Sequence, residues 1–161
     1  MSQHFVPSRG AAPVGQMQEL PPMERMAILY LRAWCDGGSG KAQMIADFRR
    51  VLGAEEGDLR YEDFNTLLRM MLRCGRCPLM RHGLNCRCFG GHESAFAQMI
   101  TAAATQDRDD ALLFATTLLS GGAAWHAVQL ASNLGPVLLQ ISRNMAADLP
   151  DTTQPQPRHL H

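Results

Sequence analysis

Residues 59–77 read LRYEDFNTLLRMMLRCGRC, a stretch in which a helical pattern of apolar side chains runs directly into two cysteines. Apolar residues recur there at the three- and four-residue spacing that lines one face of a helix, at Phe64, Leu67, Leu68 and Met71. The pattern stops at the cysteine pair. The stretch therefore predicts an amphipathic helix over residues 59–73, which buries one face and leads into a cysteine-rich segment.

The chain before this helix predicts two more helices. Pro21-Pro22 suits a helix start and Asp36-Gly37-Gly38 suits a helix end. Ser39 is placed to cap a second helix, and Gly53 is placed to end it. Each segment has an apolar face, formed by Ala27, Tyr30, Leu31 and Trp34 in the first and by Ile45, Phe48 and Leu52 in the second.

The chain after the cysteines predicts three or four further helices. Residues 93–105 form the fourth, and aspartates at 107, 109 and 110 favour the start of a fifth because carboxylates complement the positive end of the helix dipole. Residues 123–149 contain Pro136, which predicts two segments or one kinked helix. Their apolar face comprises Trp125, Leu130, Leu134, Leu138, Ile141 and Met145. The predicted fold class is all-α, a compact bundle of six or seven helices.

Length and composition set the domain organisation. The 161 residues are enough for one domain, and 46% hydrophobic with 19% charged residues is typical of a globular protein. Residues 1–18 and 150–161 carry proline and polar residues without periodicity, which predicts disordered tails. The helical domain is predicted to span residues 19–149.

Charge and hydropathy exclude some classes of function. Fifteen basic and fifteen acidic residues give a formal net charge of zero, so the molecule as a whole is not built to attract an anionic polymer. The sequence has no apolar run of signal-peptide or membrane-span length. We expect a cytoplasmic protein with no membrane partner. In that reducing compartment, clustered cysteines are typical of metal or redox sites and not of disulfides.

Four of the five cysteines lie in residues 74–88, inside a loop predicted to span residues 74–92 between the third and fourth helices. A loop of that length in a compact domain needs a structural reason. A zinc ion supplies one, because Cys thiolates and His nitrogens bind zinc tetrahedrally at about 2.0–2.3 Å. We predict a structural zinc site with ligands drawn from Cys74, Cys77, Cys86, Cys88, His82 and His92.

The choice of ligands and the role of the metal remain open. The four cysteines are the simplest set, whereas His82, Cys86, Cys88 and His92 form a series that needs no residue of the first pair. A catalytic site has three protein ligands, a water and a nearby carboxylate. Glu93 is the nearest carboxylate in sequence, but it equally suits the first turn of the fourth helix. A thiol redox role of the first cysteine pair is a further alternative.

The loop is rich in arginine, and no acidic residue occurs between Asp63 and Glu93. Guanidinium groups there can neutralise a thiolate-rich metal site or contact phosphate, through Arg69, Arg73, Arg76, Arg81 and Arg87. The favoured function is a regulatory or adaptor module that acts by protein–protein contact. The alternatives are a small metalloenzyme, a thiol redox protein, or a nucleic-acid-binding regulator that uses Arg73, Arg76, Arg81 and Arg87.

The run PLMRHGLNCRCFG at residues 78–90 resembles a family of small uncharacterised proteins from alphaproteobacteria. The resemblance covers mainly this loop and its flanking helices. It implies a bacterial cytoplasmic protein, and it implies neither an activity nor a functional residue.

Overall fold

The amphipathic segments of the sequence fold into six α-helices and one small sheet over residues 10–148, the part of the chain that the computed structural model describes. The helices are α1 (Pro22–Asp36), α2 (Gly38–Leu52), α3 (Ala54–Cys74), α4 (Gly91–Ala104), α5 (Arg108–Leu118) and α6 (Ala123–Ala147). The strands are β1 (Pro13–Gln16) and β2 (Cys88–Gly90), and a short 3-10 helix follows β1 at Met17–Glu19. The all-α prediction is confirmed. Among the described helices, we find none that combines the length and the apolar character needed to cross a membrane.

The core lies where the apolar faces of the helices meet. Helix α4 packs against α1, α5 and α6, while α3 packs against α2 and α6. Phe64 of α3 meets Phe96 of α4 edge to face, with ring centroids 6.1 Å apart, so the two helices that flank the cysteine loop share one core. Both rings are fully buried, and burial of such a side chain contributes about 1.5–3 kcal/mol.

Two glycines make the sharp turns between the first three helices. Gly37 has φ of 76° and Gly53 has φ of 84°, a backbone conformation that residues with a Cβ rarely adopt. The predicted cap at Ser39 is wrong, because α2 already begins at Gly38 and no side chain caps it. Helix α3 begins at Ala54, five residues earlier than residue 59, since the turn at Gly53 leads straight into the helix.

Helix α6 runs unbroken through Pro136, which settles the prediction for this segment as a single helix. The proline side chain is exposed. Its neighbour Gly135 lies so close to α4 that an added Cβ would clash with the Cβ of Ala104. Two members of the predicted apolar face are not in the core, since Trp125 is 56% exposed and Met145 is 44% exposed.

The N-terminal segment differs from the sequence prediction. We expected a tail to residue 18, whereas β1 pairs antiparallel with β2, Gly15 with Phe89 and Gln16 with Cys88. A four-residue strand with no alternating pattern and a partner far along the chain leaves little trace in the sequence. The remaining tail predictions concern residues 1–9 and 150–161, which lie outside the described residues.

Candidate metal centre

A buried ion pair joins α1 to α4 beneath the cysteine loop. The guanidinium of Arg32 donates from Nε to Oε1 of Glu93 at 2.6 Å and from Nη2 to Oε2 at 3.0 Å. Both side chains are completely buried. Removing two charges from water is unfavourable unless additional hydrogen bonds satisfy the remaining donors and acceptors.

Those additional hydrogen bonds hold the loop backbone. Arg32 donates to the carbonyl oxygen of Cys86 at 2.8 Å and to that of Cys88 at 2.7 Å. Glu93 accepts a bond from the backbone N–H of His82 at 3.2 Å. The ion pair therefore fixes the backbone at three positions that also carry a sulfur or imidazole ligand atom.

Glu93 has no capacity left to act as a general base. Besides the bonds above, its Oε2 accepts from the backbone N–H of Gly90 at 2.9 Å, so each carboxylate oxygen receives two hydrogen bonds. Burial would raise the pKa of Glu93, but hydrogen bonds from Arg32, together with that from Gly90, hold it below the ordinary value. The carboxylate is thus ionised and serves to start α4 and to anchor the loop.

Three of the predicted ligand residues converge above this ion pair. Sγ of Cys86 lies 3.1 Å from Sγ of Cys88, and Nδ1 of His82 lies 3.2 Å from the second sulfur and 3.6 Å from the first. All three side chains are half-buried. Within residues 10–148, no other group of three or more His, Cys, Asp or Glu side chains comes close enough to hold a metal ion. We refer to these three residues as the ligand cluster.

The imidazole of His82 faces the two sulfurs with its Nδ1. Its Nε2 lies 2.7 Å from the carbonyl oxygen of Ala11, and its Nδ1 lies 3.2 Å from that of Cys88; both oxygens can only accept. The shorter contact favours the proton on Nε2 of the neutral ring, which leaves a lone pair on Nδ1 for a metal ion. Burial would lower the pKa of His82, but the Ala11 carbonyl, Cys86 and Glu93 outweigh it and raise the pKa. A proton therefore competes with a metal ion for Nδ1.

The two thiols titrate differently although they are adjacent. Hydrogen bonds from the Cys88 side chain and backbone, and then from His82, lower the pKa of Cys86 to about 7. The pKa of Cys88 is raised, because its thiol is hydrogen-bonded to the Cys86 sulfur and is partly desolvated. In the metal-free pair, Cys86 therefore ionises before Cys88, and both thiols would have to lose their protons to bind a metal ion.

The donor set fits a soft or borderline metal ion. Two thiolates and one imidazole are typical zinc ligands, and the hydrogen bond from imidazole to a backbone carbonyl is the usual support of a metal-binding histidine. A tetrahedral zinc at 2.3 Å from each sulfur would separate the sulfurs by about 3.8 Å. The sulfurs of Cys86 and Cys88 are 3.1 Å apart, so their half-buried side chains would have to rotate slightly to reach that spacing.

Two other predicted ligands form a separate pair. Nε2 of His92 lies 3.6 Å from Sγ of the exposed Cys77, while its Nδ1 accepts a hydrogen bond from the backbone N–H of Met80 at 3.0 Å. That bond assigns the ring proton to Nε2, so His92 faces the sulfur with N–H instead of a lone pair. Burial lowers the pKa of His92, which keeps the ring neutral at pH 7.

Cys74, the last predicted ligand, belongs to neither group. It is half-buried at the end of α3, and its carbonyl oxygen accepts from both the backbone and the hydroxyl of Ser120. The structure therefore brings together His82, Cys86 and Cys88, and it does not bring Cys74, Cys77 or His92 into the ligand cluster.

The arginines near the loop have different roles. Arg81 forms an ion pair with Asp36 at 2.9 Å, and Nε of Arg76 donates to the carbonyl oxygen of Leu119 at 3.1 Å. Arg73 and Arg87 are exposed. Two of the four arginines predicted to contact nucleic acid thus already hold the loop to neighbouring elements.

Sequence reasoning missed Arg32, the residue that organises the loop. It lies on the buried side of α1, in the same turn as Leu31, which is an unusual place for an arginine without a carboxylate partner. Glu93 is the only acidic residue between Asp63 and Asp107. The indications available in the sequence were an arginine next to Leu31 of the predicted apolar face and an isolated glutamate at a helix start.

Comparisons of the chain with protein-family models, with curated proteins and with solved structures found no match.

Proposed function

We propose that the ligand cluster binds one zinc ion, that this ion fixes the loop between α3 and α4, and that the helical body is a regulatory or adaptor module that works by protein–protein contact. The observation that carries the metal proposal is the convergence of His82 Nδ1 with the sulfurs of Cys86 and Cys88. Zinc is favoured over harder cations because two of the three donors are thiolates.

A structural role is supported by the way the cluster is held. The backbone carbonyls of both cysteines are bound by Arg32, and the imidazole is oriented by a backbone carbonyl. Metal binding to such a site stabilises the fold, because the unfolded chain does not keep the ligands together. The nearest carboxylate, Glu93, is occupied on both oxygens and is not placed to activate a water.

One observation favours a metalloenzyme as the second candidate. The cluster supplies three protein ligands, and catalytic zinc sites commonly have three plus an exchangeable water. In such an enzyme a general base other than Glu93 would be needed, so this candidate has less support than the structural one.

Elemental analysis of protein purified without added metal tests the proposal. We expect about one equivalent of zinc in the wild type and a loss of most of it in Cys86→Ser and Cys88→Ser, because each removes one of three ligands. Cys74→Ser and Cys77→Ser are the matched controls, and both should retain the metal. Wild-type protein that is folded but holds less than about half an equivalent of any metal would contradict the zinc site.

The protein-contact part of the proposal is supported by exposed apolar side chains. Leu59, Leu72, Leu113 and Trp125 each expose more than half of their surface. Single exposed apolar residues are common, so their neighbourhood decides whether they mark an interface. The neighbourhood of Leu59 on α3 carries a pattern of charges that supports one kind of partner.

A further inference from the structure

The solvent face of α3 carries a stripe of residues with opposite charges at its two ends. Six exposed side chains recur at alternating spacings of four and three residues, which places them in one line along the helix: Glu55, Leu59, Glu62, Thr66, Arg69 and Arg73. The opposite face of the helix is buried in the core. We call these six residues the α3 stripe.

Acidic residues occupy the first half of the α3 stripe and basic residues occupy the second half. Glu55 and Glu62 line an open groove with Leu59, and Arg69 and Arg73 line a second groove with Thr66 and Met70. Within residues 10–148, none of these four charged side chains forms an ion pair. Their charges therefore remain available to a partner.

We propose that the α3 stripe is a self-complementary interface through which two copies of this chain form an antiparallel, twofold-symmetric dimer. In a twofold interface each surface patch meets the same patch on the other copy in reversed direction. Reversal places Glu55 of one copy opposite Arg73 of the other, and the twofold axis repeats that pair. A parallel arrangement would place Glu opposite Glu and Arg opposite Arg, which is repulsive.

The remaining residues of the stripe suit the same arrangement. Reversal about the middle of the stripe places Leu59, which is 52% exposed, opposite Arg69 of the other copy. The aliphatic part of an arginine covers apolar surface while its guanidinium stays in water. Glu62 then faces Thr66 of the other copy, a small residue that allows the two helices to approach. Glu62 also lies one helical turn from Arg69 of the other copy.

The proposed dimer specifies the partner in the protein-contact part of the proposed function, and it does not depend on the metal. None of the stripe residues belongs to the ligand cluster. An interface built around one helix is small, so we expect a dissociation constant in the micromolar range. Salt should weaken the dimer, because exposed charges are screened beyond about 10 Å at 0.1 M ionic strength.

Sedimentation velocity over a concentration series tests the proposal. The wild type should shift from 17.7 kDa to twice that mass as concentration rises. Glu55→Lys with Glu62→Lys makes the stripe wholly basic, and Arg69→Glu with Arg73→Glu makes it wholly acidic. Each double variant should remain monomeric, whereas an equimolar mixture of the two should form a heterodimer.

Arg108→Glu with Arg143→Glu is the matched control for Arg69→Glu with Arg73→Glu, since it makes the same change in net charge at exposed positions off the stripe and should dimerise like the wild type. A wild type that stays monomeric throughout, double variants that dimerise as well as it does, or a mixture of folded variants that does not associate would each overturn the proposal. Zinc content is measured on the same samples, so a failed dimer and a failed metal site are distinguished.

Discussion

Two histidine–cysteine groups lie along one loop, and they differ in which ring nitrogen of the imidazole faces the sulfur. In the ligand cluster, Nε2 of His82 makes its shortest contact with the carbonyl oxygen of Ala11, and Nδ1 faces two sulfurs and the carbonyl oxygen of Cys88. In the other group, Nδ1 of His92 accepts from an N–H and the protonated Nε2 faces Cys77. Residue types are the same in both groups. The backbone group next to the far ring nitrogen favours the tautomer that offers a lone pair to a metal ion in the first group and disfavours it in the second.

The two groups also differ in what supports them. The ligand cluster lies on backbone that a fully buried ion pair holds in place, whereas Cys77 is exposed. Rigid support is what a metal site requires, since ligands must be positioned before the ion binds.

The largest effect should come from removing the support of the ligand cluster. Arg32→Met leaves Glu93 buried without its charge partner, and we expect a loss of about 3–5 kcal/mol in the free energy of unfolding. Urea denaturation measures it. Arg49→Met, which removes an exposed ion pair with Asp58, should change the midpoint far less. A loss below about 1 kcal/mol for Arg32→Met would show that the buried pair does not hold the loop.

The next-largest effect, on zinc affinity, should distinguish His82 from His92. His82→Gln removes a ligand and should weaken zinc binding by more than the 10–100-fold that loss of an outer hydrogen-bond partner costs. His92→Gln should leave the affinity within about threefold, because His92 offers the cluster no lone pair. Competition with a colorimetric zinc chelator gives both constants. Equal weakening of zinc binding by the two substitutions would show that His92 is also a ligand and that the two histidines do not differ in this respect.

A smaller effect should appear within the ligand cluster itself. In metal-free protein, Cys86 has a pKa of about 7 while that of Cys88 is raised, and only the thiolate reacts with iodoacetamide. At pH 7 the initial alkylation of Cys86 should be roughly fivefold faster or more, after its lower intrinsic nucleophilicity is allowed for.

The alkylation rate of Cys86 should rise as pH increases through about 7 and then level off, since the thiolate fraction follows that pKa. Peptide mass spectrometry of short reactions measures the rate at each cysteine. Faster labelling of Cys88 at pH 7 would reverse the order in which the two thiols ionise. Zinc should protect both residues.

The helices could be predicted from sequence to the extent that local patterns specify them. The start of α1 at Pro22 and its end at Asp36 match the prediction because proline and glycine act on their own backbone. The start of α3 did not match, since acidic residues after Gly53 suit either a turn or a helix start. Strand β1 was missed because its pairing with β2 is not local.

The sequence predicted which residues could form the site, but not which of them come together. Six Cys and His residues in residues 74–92 indicated a metal loop, and three of them converge. The spacing between Cys74 and Cys77 suggested a half-site, but Cys74 ends α3 and its backbone is tied to Ser120. Helix ends and distant hydrogen bonds set where each sulfur lies, and spacing alone does not carry that information.

The sequence by itself determined the helical class, the position of the cysteine loop between α3 and α4, and the charge order along α3. These follow from the periodicity and from the conformational preferences of nearby residues, which act over a few positions of the chain. Only the tertiary structure decided which residues form the ligand cluster. That choice depends on Arg32 from α1, Ala11 from the segment before β1 and Glu93 from α4, which are brought together by packing of the core.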